Sequence, residues 1–302
     1  MDFMTCAQSL CPEAEIRRGV KMDAYTTLRV GGPADFFAEP ENEAQLQALL
    51  AAARQAEIPA LVMGNGSNLL IRDGGFRGAV IRLGKRFARM EKQEDGTVYS
   101  QAGAPLSALA RFAWEQGLAG LEFAQGIPGT VGGGVYMNAG AYGGELGQLT
   151  ASVRVLEDEA IREIPAADMR FSYRHSLAME KAMVILGARF RLTAGDPEEI
   201  GRAMRDYAAR RREKQPLEYP SAGSFFKRPA GHFAGALIEQ AGLKGLSAGG
   251  ARVSEKHAGF LINTGGAAAA DFIRLMEKVQ AAVEEKSGVR LEPEVRILGS
   301  DA

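Results

Sequence analysis

The chain of 302 residues is 46% hydrophobic and 24% charged, and its formal net charge is −1. These values are ordinary for a globular protein of two or three domains, and the lack of a basic excess argues against a nucleic-acid partner. No run approaches the roughly 18 apolar residues of a membrane helix, and the N-terminus has no apolar signal segment. Cys6 and Cys11 lie in a poorly patterned N-terminal arm and match no metal-ligand spacing. We therefore expect a cytoplasmic protein with no metal and no membrane or nucleic-acid partner. We also expect a monomer.

Apolar periodicity divides the chain into three blocks, residues 1–84, 85–196 and 197–302, which we expect to be three domains. In chain order, helical patterns cover residues 42–56, 106–116, 197–214, 233–241 and 268–286. Strand-like runs cover residues 36–39, 59–63, 69–71, 79–83, 98–101, 153–156 and 184–192. The last helix has Gly288 after its end as a stop signal. Runs of strands separated by helices predict an α+β protein, not one doubly wound sheet.

A short glycine loop joins two of the predicted strands, with the sequence Gly-Asn-Gly-Ser-Asn at residues 64–68. A Rossmann loop has glycine or alanine at the position of Leu69 and opens a helix, whereas this loop opens a strand. No Gly-Lys-Ser/Thr follows, so the loop is not a P-loop. We interpret it as a strand–loop–strand phosphate cradle, whose donors are backbone amides and the side chains of Asn65, Ser67 and Asn68.

The densest glycine stretch covers residues 117–147, where eleven of 31 residues are glycine and none is Lys or Arg. Glycine lets the backbone adopt positive φ and approach a ligand closely. Amide groups in such a loop bind the oxygens of an anion without a cationic side chain. This pattern predicts a second part of a cofactor site, and a glycine-rich structural crossover is the alternative interpretation.

The third block combines hydroxyl, aromatic and basic side chains at residues 221–228, between two prolines. The glycine before Ser224 exposes its hydroxyl, which is able to donate a proton, and a hairpin with a helix-capping serine is the alternative. Further along, alternation predicts that Glu292, Glu294 and Arg296 share one strand face. We expect the basic cluster at residues 210–212 to be solvated.

Seven motifs occur in order between residues 25 and 299: TTLRVGGPADFF, VMGNGSNLLI, GIPGTVGGGVYMNAGAYGGE, FSYRHS, AGSFFKRP, EKHAGFLIN and LEPEVRILG. With these motifs the chain resembles the UDP-N-acetylenolpyruvoylglucosamine reductase family of bacterial cell-wall synthesis. The resemblance implies a vanillyl-alcohol-oxidase-type FAD-binding fold of two α+β subdomains, followed by an α+β substrate-binding domain. It also implies that FAD takes electrons from NADPH and reduces UDP-N-acetylglucosamine-enolpyruvate to UDP-N-acetylmuramate, a peptidoglycan precursor.

The same resemblance implies roles for residues at matching motif positions. It implies active-site roles for Arg174, which stabilises developing negative charge, for Ser224, which protonates the substrate carbon, and for Glu294. It implies that the substrate is bound by Lys214, Lys227 and Arg228, and it implies no metal ligand. It implies that FAD is bound by Gly64, Asn65, Gly66, Ser67, Asn68, Gly126, Gly129, Thr130, Gly133, Asn138, Gly140 and Ala141.

Two features depart from the wider family pattern. Arg174 and Ser224 are 50 positions apart, which is too few for the inserted loop with a substrate-clamping tyrosine, so the chain resembles the shorter subclass. Arg228 stands where many relatives have Asn. Two other functions stay open at this point: another FAD oxidoreductase of the same fold, and a non-catalytic nucleotide-sugar binding protein.

We expect the purified protein to be yellow with noncovalently bound FAD. Covalent attachment uses a His or Cys near the flavin, and neither glycine loop contains one. Acid precipitation should therefore release the flavin into the supernatant, where its absorbance is measured. Flavin that stays with the precipitated chain would contradict this expectation.

Overall fold

The computed structural model describes residues 2–301, and its helices agree closely with the sequence pattern. The five predicted helices are confirmed, and their ends differ from the prediction by at most one residue. Three further helices among the described residues were not predicted. In chain order, the helices are α1 (Phe3–Leu10), α2 (Glu43–Gln55), α3 (Leu106–Glu115), α4 (Val131–Tyr136), α5 (Leu146–Leu149), α6 (Pro197–Lys214), α7 (Ala234–Gln240) and α8 (Ala269–Ser287).

The strands are short and numerous, and each predicted strand overlaps an observed one. In chain order they are β1 (Ile16–Lys21), β2 (Pro33–Ala38), β3 (Ala60–Met63), β4 (Leu69–Ile71), β5 (Phe76–Arg82), β6 (Met90–Lys92), β7 (Val98–Gln101), β8 (Leu118–Ala119), β9 (Gly140–Ala141), β10 (Gly144–Glu145), β11 (Thr150–Glu157), β12 (Ala160–Pro165), β13 (Met183–Phe190), β14 (Thr193–Ala194), β15 (Ser221–Ser224), β16 (Ser247–Ala248), β17 (Ala251–Val253), β18 (Phe260–Asn263) and β19 (Arg296–Leu298). The mixture of helices with mainly antiparallel sheets confirms the α+β class.

The chain divides into two compact units, each made of separate segments. The first unit comprises the chain up to Ile16, Ala38–Asn65 and Val80–Arg211. Its main sheet is antiparallel, with strand order β12-β11-β13-β7-β6. Helix α4, which carries part of the long glycine stretch, packs against β13 of this sheet. The glycine stretch is therefore held by a rigid scaffold.

The second unit comprises Arg17–Phe37, Gly66–Ala79 and the chain from Arg212 onward. Its antiparallel sheet has strand order β15-β18-β17-β16, and β4 pairs in parallel with β19. Helix α8 covers this sheet with one apolar face, as its 3.6-residue periodicity predicts. The buried residues of that face are Phe272, Leu275, Met276, Val279 and Val283.

Helix α8 begins and ends at clear local signals. The carboxylate of Asp73 accepts hydrogen bonds from the amides of Ala269 and Ala270, at 2.8 and 2.9 Å. These amides have no partner within the helix, and an anion at a helix N-terminus is favourable. Gly288 then adopts φ +68° and stops the helix, as predicted. Asp73 follows β4, so its contact joins the end of this strand to α8.

The N-terminal arm is helical, which its weak pattern did not predict. The Asp2 side chain accepts a hydrogen bond from the amide of Met4 at 2.8 Å and caps α1. Cys6 and Cys11 are both buried free thiols, and burial raises the pKa of Cys11 to about 11. This thiol is therefore protonated and a poor nucleophile at neutral pH.

The predicted division into domains 1–84, 85–196 and 197–302 stays a prediction. Within residues 2–301, none of the helices has the length and apolar character needed to cross a membrane.

Burial of His257 predicts a loss of stability in acid. Its Nδ1 accepts from the Gly259 amide at 3.1 Å, and its ring lies edge-on to Phe260. Burial lowers the pKa of His257 below its usual value, and the Lys244 ammonium lowers the pKa further, while the backbone bond and Glu239 oppose this shift. Because the unfolded chain then binds the proton more tightly, stability is full above the usual histidine pKa of about 6.5 and falls as the pH drops through it.

We expect His257→Asn to reduce this acid sensitivity, because Asn offers a hydrogen-bond acceptor that does not titrate in this range. The measurement is the free energy of unfolding in urea at several pH values between about 7 and 5. The same substitution at the exposed His232 is the control, and it should leave the pH dependence unchanged. An equal pH slope in wild type and His257→Asn would contradict the assignment.

Candidate functional site

The residues predicted to form the site are distributed over both units. The first unit contains Gly64, Asn65, Gly126, Gly129, Thr130, Gly133, Asn138, Gly140, Ala141 and Arg174. The second unit contains Gly66, Ser67, Asn68, Lys214, Ser224, Lys227, Arg228 and Glu294.

The two glycine loops contact each other in the first unit. Gly64 follows β3, and a Cβ at this position would overlap the side chain of Thr130. The Nδ2 of Asn65 donates to the Pro128 carbonyl at 3.4 Å, while its Oδ1 accepts from Arg82 at 3.5 Å. A residue larger than glycine at position 64 would push the loops apart, so this glycine is required by packing.

Glycines 126–134 serve two different purposes. A Cβ on Gly132 would lie 2.8 Å from the Cβ of Ala102, and one on Gly134 would meet leucine side chains at similar distances. Gly133 differs, because a Cβ there would meet only the Thr130 hydroxyl, at 3.7 Å. Close packing explains part of this loop, as the crossover interpretation holds. It does not explain Gly133, beside which there is open space.

The side chain of Asn138 links two backbone segments near the predicted site residues of the first unit. Its side chain is fully buried, its Nδ2 donates to the Ser172 carbonyl at 2.9 Å, and its Oδ1 accepts from the Gly147 amide at 2.8 Å. The amide group thus joins the glycine stretch to the FSYRHS motif. A cofactor contact by Asn138, which stays a prediction, would have to use its backbone.

Arg174 lies at the third position of a four-residue turn in the FSYRHS motif. Paired backbone hydrogen bonds of 3.1 and 3.2 Å between Ser172 and His175 close the turn. Arg174 has a left-handed φ of +55°, a costly conformation for a non-glycine residue that is concentrated at functional sites. Its guanidinium donates to the Gly140 carbonyl at 3.3 Å and lies 5.0 Å from the Tyr173 ring. The turn therefore directs Arg174 to β9, where two of the predicted cofactor-binding residues lie.

The expectation that the 210–212 basic cluster is solvated is wrong for Arg211, whose exposed fraction is 9%. Its guanidinium donates to the Gly126 carbonyl and lies 5.9 Å from the ring of Tyr142. Tyr142 in turn stacks on Tyr207 of α6. A Cβ on Gly126 would approach the Arg211 side chain to 2.7 Å, so the glycine makes room for the arginine. The contact joins positions 85 residues apart, which no local pattern reveals.

In the second unit, the rest of the Gly64–Asn68 loop is held by two other segments. Gly66 has φ +60°, and its carbonyl accepts from the amide of Thr27 at 3.4 Å. The Nδ2 of Asn68 donates to the carbonyl of Glu294 at 3.1 Å, and the Asn68 carbonyl accepts from the Arg296 amide at 3.0 Å. The predicted strand–loop–strand arrangement is thus confirmed.

Ser224 and Glu294 lie on neighbouring backbone segments. Ser224 ends β15, is exposed, and follows Gly223, whose φ is +74°. The carbonyl of the next residue, Phe225, accepts from the Glu294 amide at 2.8 Å, and the Phe225 amide donates to Gly259 at 2.8 Å. Phe225 is fully buried, so the hydrophobic core fixes the backbone that carries both polar residues.

The expectation that Glu292, Glu294 and Arg296 share a strand face is wrong. Strand β19 begins only at Arg296, and before it Pro293 forms an isolated bridge with Phe226. Proline has no amide hydrogen and interrupts a strand ladder. The hairpin alternative for the serine segment is not observed either, because β15 pairs with the distant β18 and the N-cap residue of α7 is not a serine.

The three predicted substrate-binding cations lie on the surface of the second unit or at its start. Lys214 is the exposed last residue of α6. The Nζ of Lys227 lies 3.3 Å from the Glu292 carboxylate, and the Arg228 guanidinium lies 4.7 Å from the ring of Phe233. An exposed ion pair contributes only about 0–1 kcal/mol, so a phosphate is able to replace Glu292 at small cost.

In each unit, the described residues include one buried side-chain oxygen beside a glycine loop that lacks a protein partner, which fits a polar ligand bound there. Thr27 Oγ1 and Gln125 Oε1 are buried side-chain oxygens with no hydrogen-bond partner within residues 2–301, and such groups normally have one. Thr27 contacts the loop at Gly66, and Gln125 directly precedes Gly126. Sequence reasoning named neither residue, because a single Thr or Gln has no diagnostic pattern. Over the same described range, no group of three or more His, Cys, Asp or Glu side chains is arranged to hold a metal.

Comparison with known proteins gives consistent results along the chain. The family described as "FAD binding domain" matches residues 34–159, and "UDP-N-acetylenolpyruvoylglucosamine reductase, C-terminal domain" matches residues 215–298. A UDP-N-acetylenolpyruvoylglucosamine reductase from Agathobacter rectalis is 47% identical, with 98% of both chains covered. The crystal structure of UDP-N-acetylenolpyruvylglucosamine reductase from Thermus caldophilus is 37% identical with a TM-score of 0.82, and covers 94% of this chain and 99% of that one.

A more distant structure is similar in fold alone. BBE-like 1 from Physcomitrella patens is 16% identical with a TM-score of 0.50, over 64% of this chain and 44% of that one. Together with the match to the FAD binding domain, this similarity confirms the predicted vanillyl-alcohol-oxidase-type FAD-binding fold.

We expect Gly66→Val to lose FAD out of proportion to its loss of stability. Valine at a left-handed position costs about 1–3 kcal/mol and adds a branched side chain to the loop. Gly96→Val is the matched control, since Gly96 has φ +81° and open surroundings in the unrelated turn between β6 and β7. Flavin stoichiometry and Tm are measured for both variants. Normal stoichiometry in Gly66→Val would show that the phosphate-binding loop lies elsewhere.

Proposed function

This chain belongs to the UDP-N-acetylenolpyruvoylglucosamine reductase family, and we propose that it reduces UDP-N-acetylglucosamine-enolpyruvate to UDP-N-acetylmuramate in peptidoglycan precursor synthesis. One observation supports this most directly. The Glu294 backbone bonds both to Phe225, next to Ser224, and to Asn68 of the glycine loop. The predicted proton donor Ser224 and the predicted active-site residue Glu294 are therefore held beside the predicted cofactor loop, within one unit.

FAD is the cofactor and NADPH the reductant. Bound FAD supplies the hydride, taken from NADPH, that adds to the CH₂ carbon of the enolpyruvyl group. The residues that would hold the cofactor are the loop at 64–68, in which Gly66 would allow close backbone approach, and the stretch from Gly126 to Ala141. Thr27 Oγ1, which is buried without a protein partner within residues 2–301, would donate a hydrogen bond to an oxygen of the cofactor.

Ser224 supplies the proton that completes the reduction. After hydride arrives at the CH₂ carbon, negative charge develops on the neighbouring carbon and its carboxylate. The Ser224 Oγ protonates that carbon, giving the saturated lactyl ether. Ser224 is exposed at the end of β15, next to Gly223 with its φ of +74°, so its hydroxyl is accessible for this transfer.

Arg174 and Glu294 control charge. Arg174 carries a permanent positive charge on a preorganised turn, so it stabilises the developing carboxylate and enolate oxygens. Glu294 relays a proton from solvent to the Ser224 oxygen after the reaction, which restores the hydroxyl. The substrate diphosphate is bound by the cations Lys214, Lys227 and Arg228.

The broader context is also part of the proposal. We propose that the enzyme acts as a cytoplasmic monomer without nucleic-acid or membrane partners. Its near-neutral charge and its chemistry on a soluble nucleotide sugar support this view.

Ser224→Ala should separate the two half-reactions. Flavin reduction by NADPH needs no proton from this residue, so its rate should stay nearly unchanged. Reoxidation by the enolpyruvyl substrate should slow by about 10²–10⁴-fold, the usual effect of removing a general acid. Stopped-flow absorbance of the flavin measures each half-reaction, with the substrate added anaerobically to reduced enzyme.

Two variants control this experiment. Ser224→Cys should recover part of the rate, because a thiol also gives up a proton. Ser221→Ala, on the same strand, should leave both half-reactions unchanged. If Ser224→Ala slows flavin reduction as much as reoxidation, the serine has a structural role and not a catalytic one.

A further inference from the structure

Arg29 has an unusual backbone conformation that its surroundings enforce. It has φ +54°, in the left-handed region that favours glycine. Its amide donates to the Thr26 carbonyl at 3.1 Å, and the Thr26 hydroxyl donates to the Val30 carbonyl at 2.8 Å. The Nδ2 of Asn263 donates to the carbonyls of Leu28 and Arg29, at 3.0 and 3.5 Å. These bonds close a tight turn and hold it against β18.

Arg29 lies at the surface, although the residues on either side of it in the chain are buried. Leu28 and Val30 are buried, with exposed fractions of 0% and 2%, and belong to the core of the second unit. Arg29 itself is exposed. A glycine would meet the backbone requirement without strain, so the chain carries an arginine where the fold favours glycine. Such strain is a starting point for a functional hypothesis.

Three other residues with positive φ have local explanations that do not apply to Arg29. Glu57, with φ +53°, follows the end of α2, where left-handed residues are common. Asp158 and Glu159 form the turn between β11 and β12. Arg29 belongs neither to a helix end nor to a hairpin turn.

The turn at residues 26–30 lies against the glycine loop of the same unit. The amide of Thr27, two residues before Arg29, donates to the carbonyl of Gly66 at 3.4 Å. The Thr27 hydroxyl is buried without a protein partner. Within residues 2–301, the Arg29 guanidinium has no ion pair or hydrogen bond. The side chain is thus a cation without a partner, on a turn that contacts the loop.

We propose that Arg29 binds a phosphate group of a nucleotide held at the Gly66–Asn68 loop, and that its strained backbone is retained for this contact. The guanidinium offers a planar pair of donors that suits phosphate oxygens. This inference rests on the proposed function for the presence of a nucleotide. The phosphate belongs to FAD or to one of the two nucleotide substrates, and the chemistry is the same in each case.

The test uses the full-length enzyme with the substitution Arg29→Gly. Loss of a hydrogen-bonded ion pair should weaken binding of the phosphate-bearing ligand about 10- to 100-fold. The Kd of FAD is measured by flavin fluorescence, and KM is measured for NADPH and for the enolpyruvyl substrate at saturating FAD. The ligand whose constant rises identifies the source of the phosphate. At the same time, Tm without added ligand should rise, because glycine removes the strain.

Three further variants distinguish loss of the positive charge from loss of protein stability. Arg29→Lys retains the charge and should lose less affinity than Arg29→Gly. Arg29→Asn is neutral but tolerates left-handed φ, so it should lose affinity even if the glycine variant is unstable. Glu57→Gly is the matched control: it should raise Tm and leave the Kd of FAD and both KM values unchanged.

Two results would overturn the proposal. One is a set of unchanged constants for all three ligands in both Arg29→Gly and Arg29→Asn. The other is an equal loss of affinity in Glu57→Gly, which would assign the effect to backbone stability in general. Failure of the proposed function is a separate result, since it would appear as wild-type enzyme that binds FAD but does not reduce the enolpyruvyl substrate.

Discussion

The backbone N–H and the backbone carbonyl of Glu294 both form hydrogen bonds, and these two bonds hold the Ser224 strand and the glycine loop of the second unit together. Its amide donates to Phe225 and its carbonyl accepts from the side chain of Asn68. The first bond ties it to a strand end anchored by a fully buried phenylalanine. The second ties it to the loop that follows β3. The segment around Pro293 is not part of a β-strand. These two hydrogen bonds therefore fix the position of the Glu294 backbone, from which its carboxylate extends.

Glycine serves opposite purposes in the two loops. At Gly64 and Gly132, glycine lets two segments of the chain pack closely, since a Cβ would overlap Thr130 or Ala102. At Gly66 it allows a left-handed backbone. Close approach to a ligand and close packing of the chain need the same residue for the same steric reason. A high density of glycine therefore indicates only that something approaches the backbone closely. The tertiary structure shows whether that neighbour is another part of the protein.

The cations of the molecule divide into two classes. Arg211 is buried and bonded to a loop carbonyl, so it stabilises the glycine stretch as a structural element. Arg228 and Arg29 are exposed, whereas Lys227 is half-buried and lies 3.3 Å from the Glu292 carboxylate. Within residues 2–301, the Arg29 guanidinium has no ion pair or hydrogen bond. Weakly paired cations suit a phosphate ligand, because binding does not require breaking a strong internal pair. Long side chains in both classes cost entropy to order, which the ligand or the packing must offset.

The sequence by itself determined the α+β class, the long helices, the strand–loop–strand character of residues 64–68 and the family with its FAD chemistry. These follow from local periodicity and from motifs whose residues are neighbours in the chain. Only the tertiary structure decided that Arg211 is buried against Gly126, that Asn138 joins two motifs, and that Glu294 lies outside a strand. It also revealed the strained turn at Arg29. Each of these depends on partners far away, such as the 226 positions between Asn68 and Glu294. Contacts over that distance are chosen by the packing of whole elements, which the pattern of a short segment does not contain.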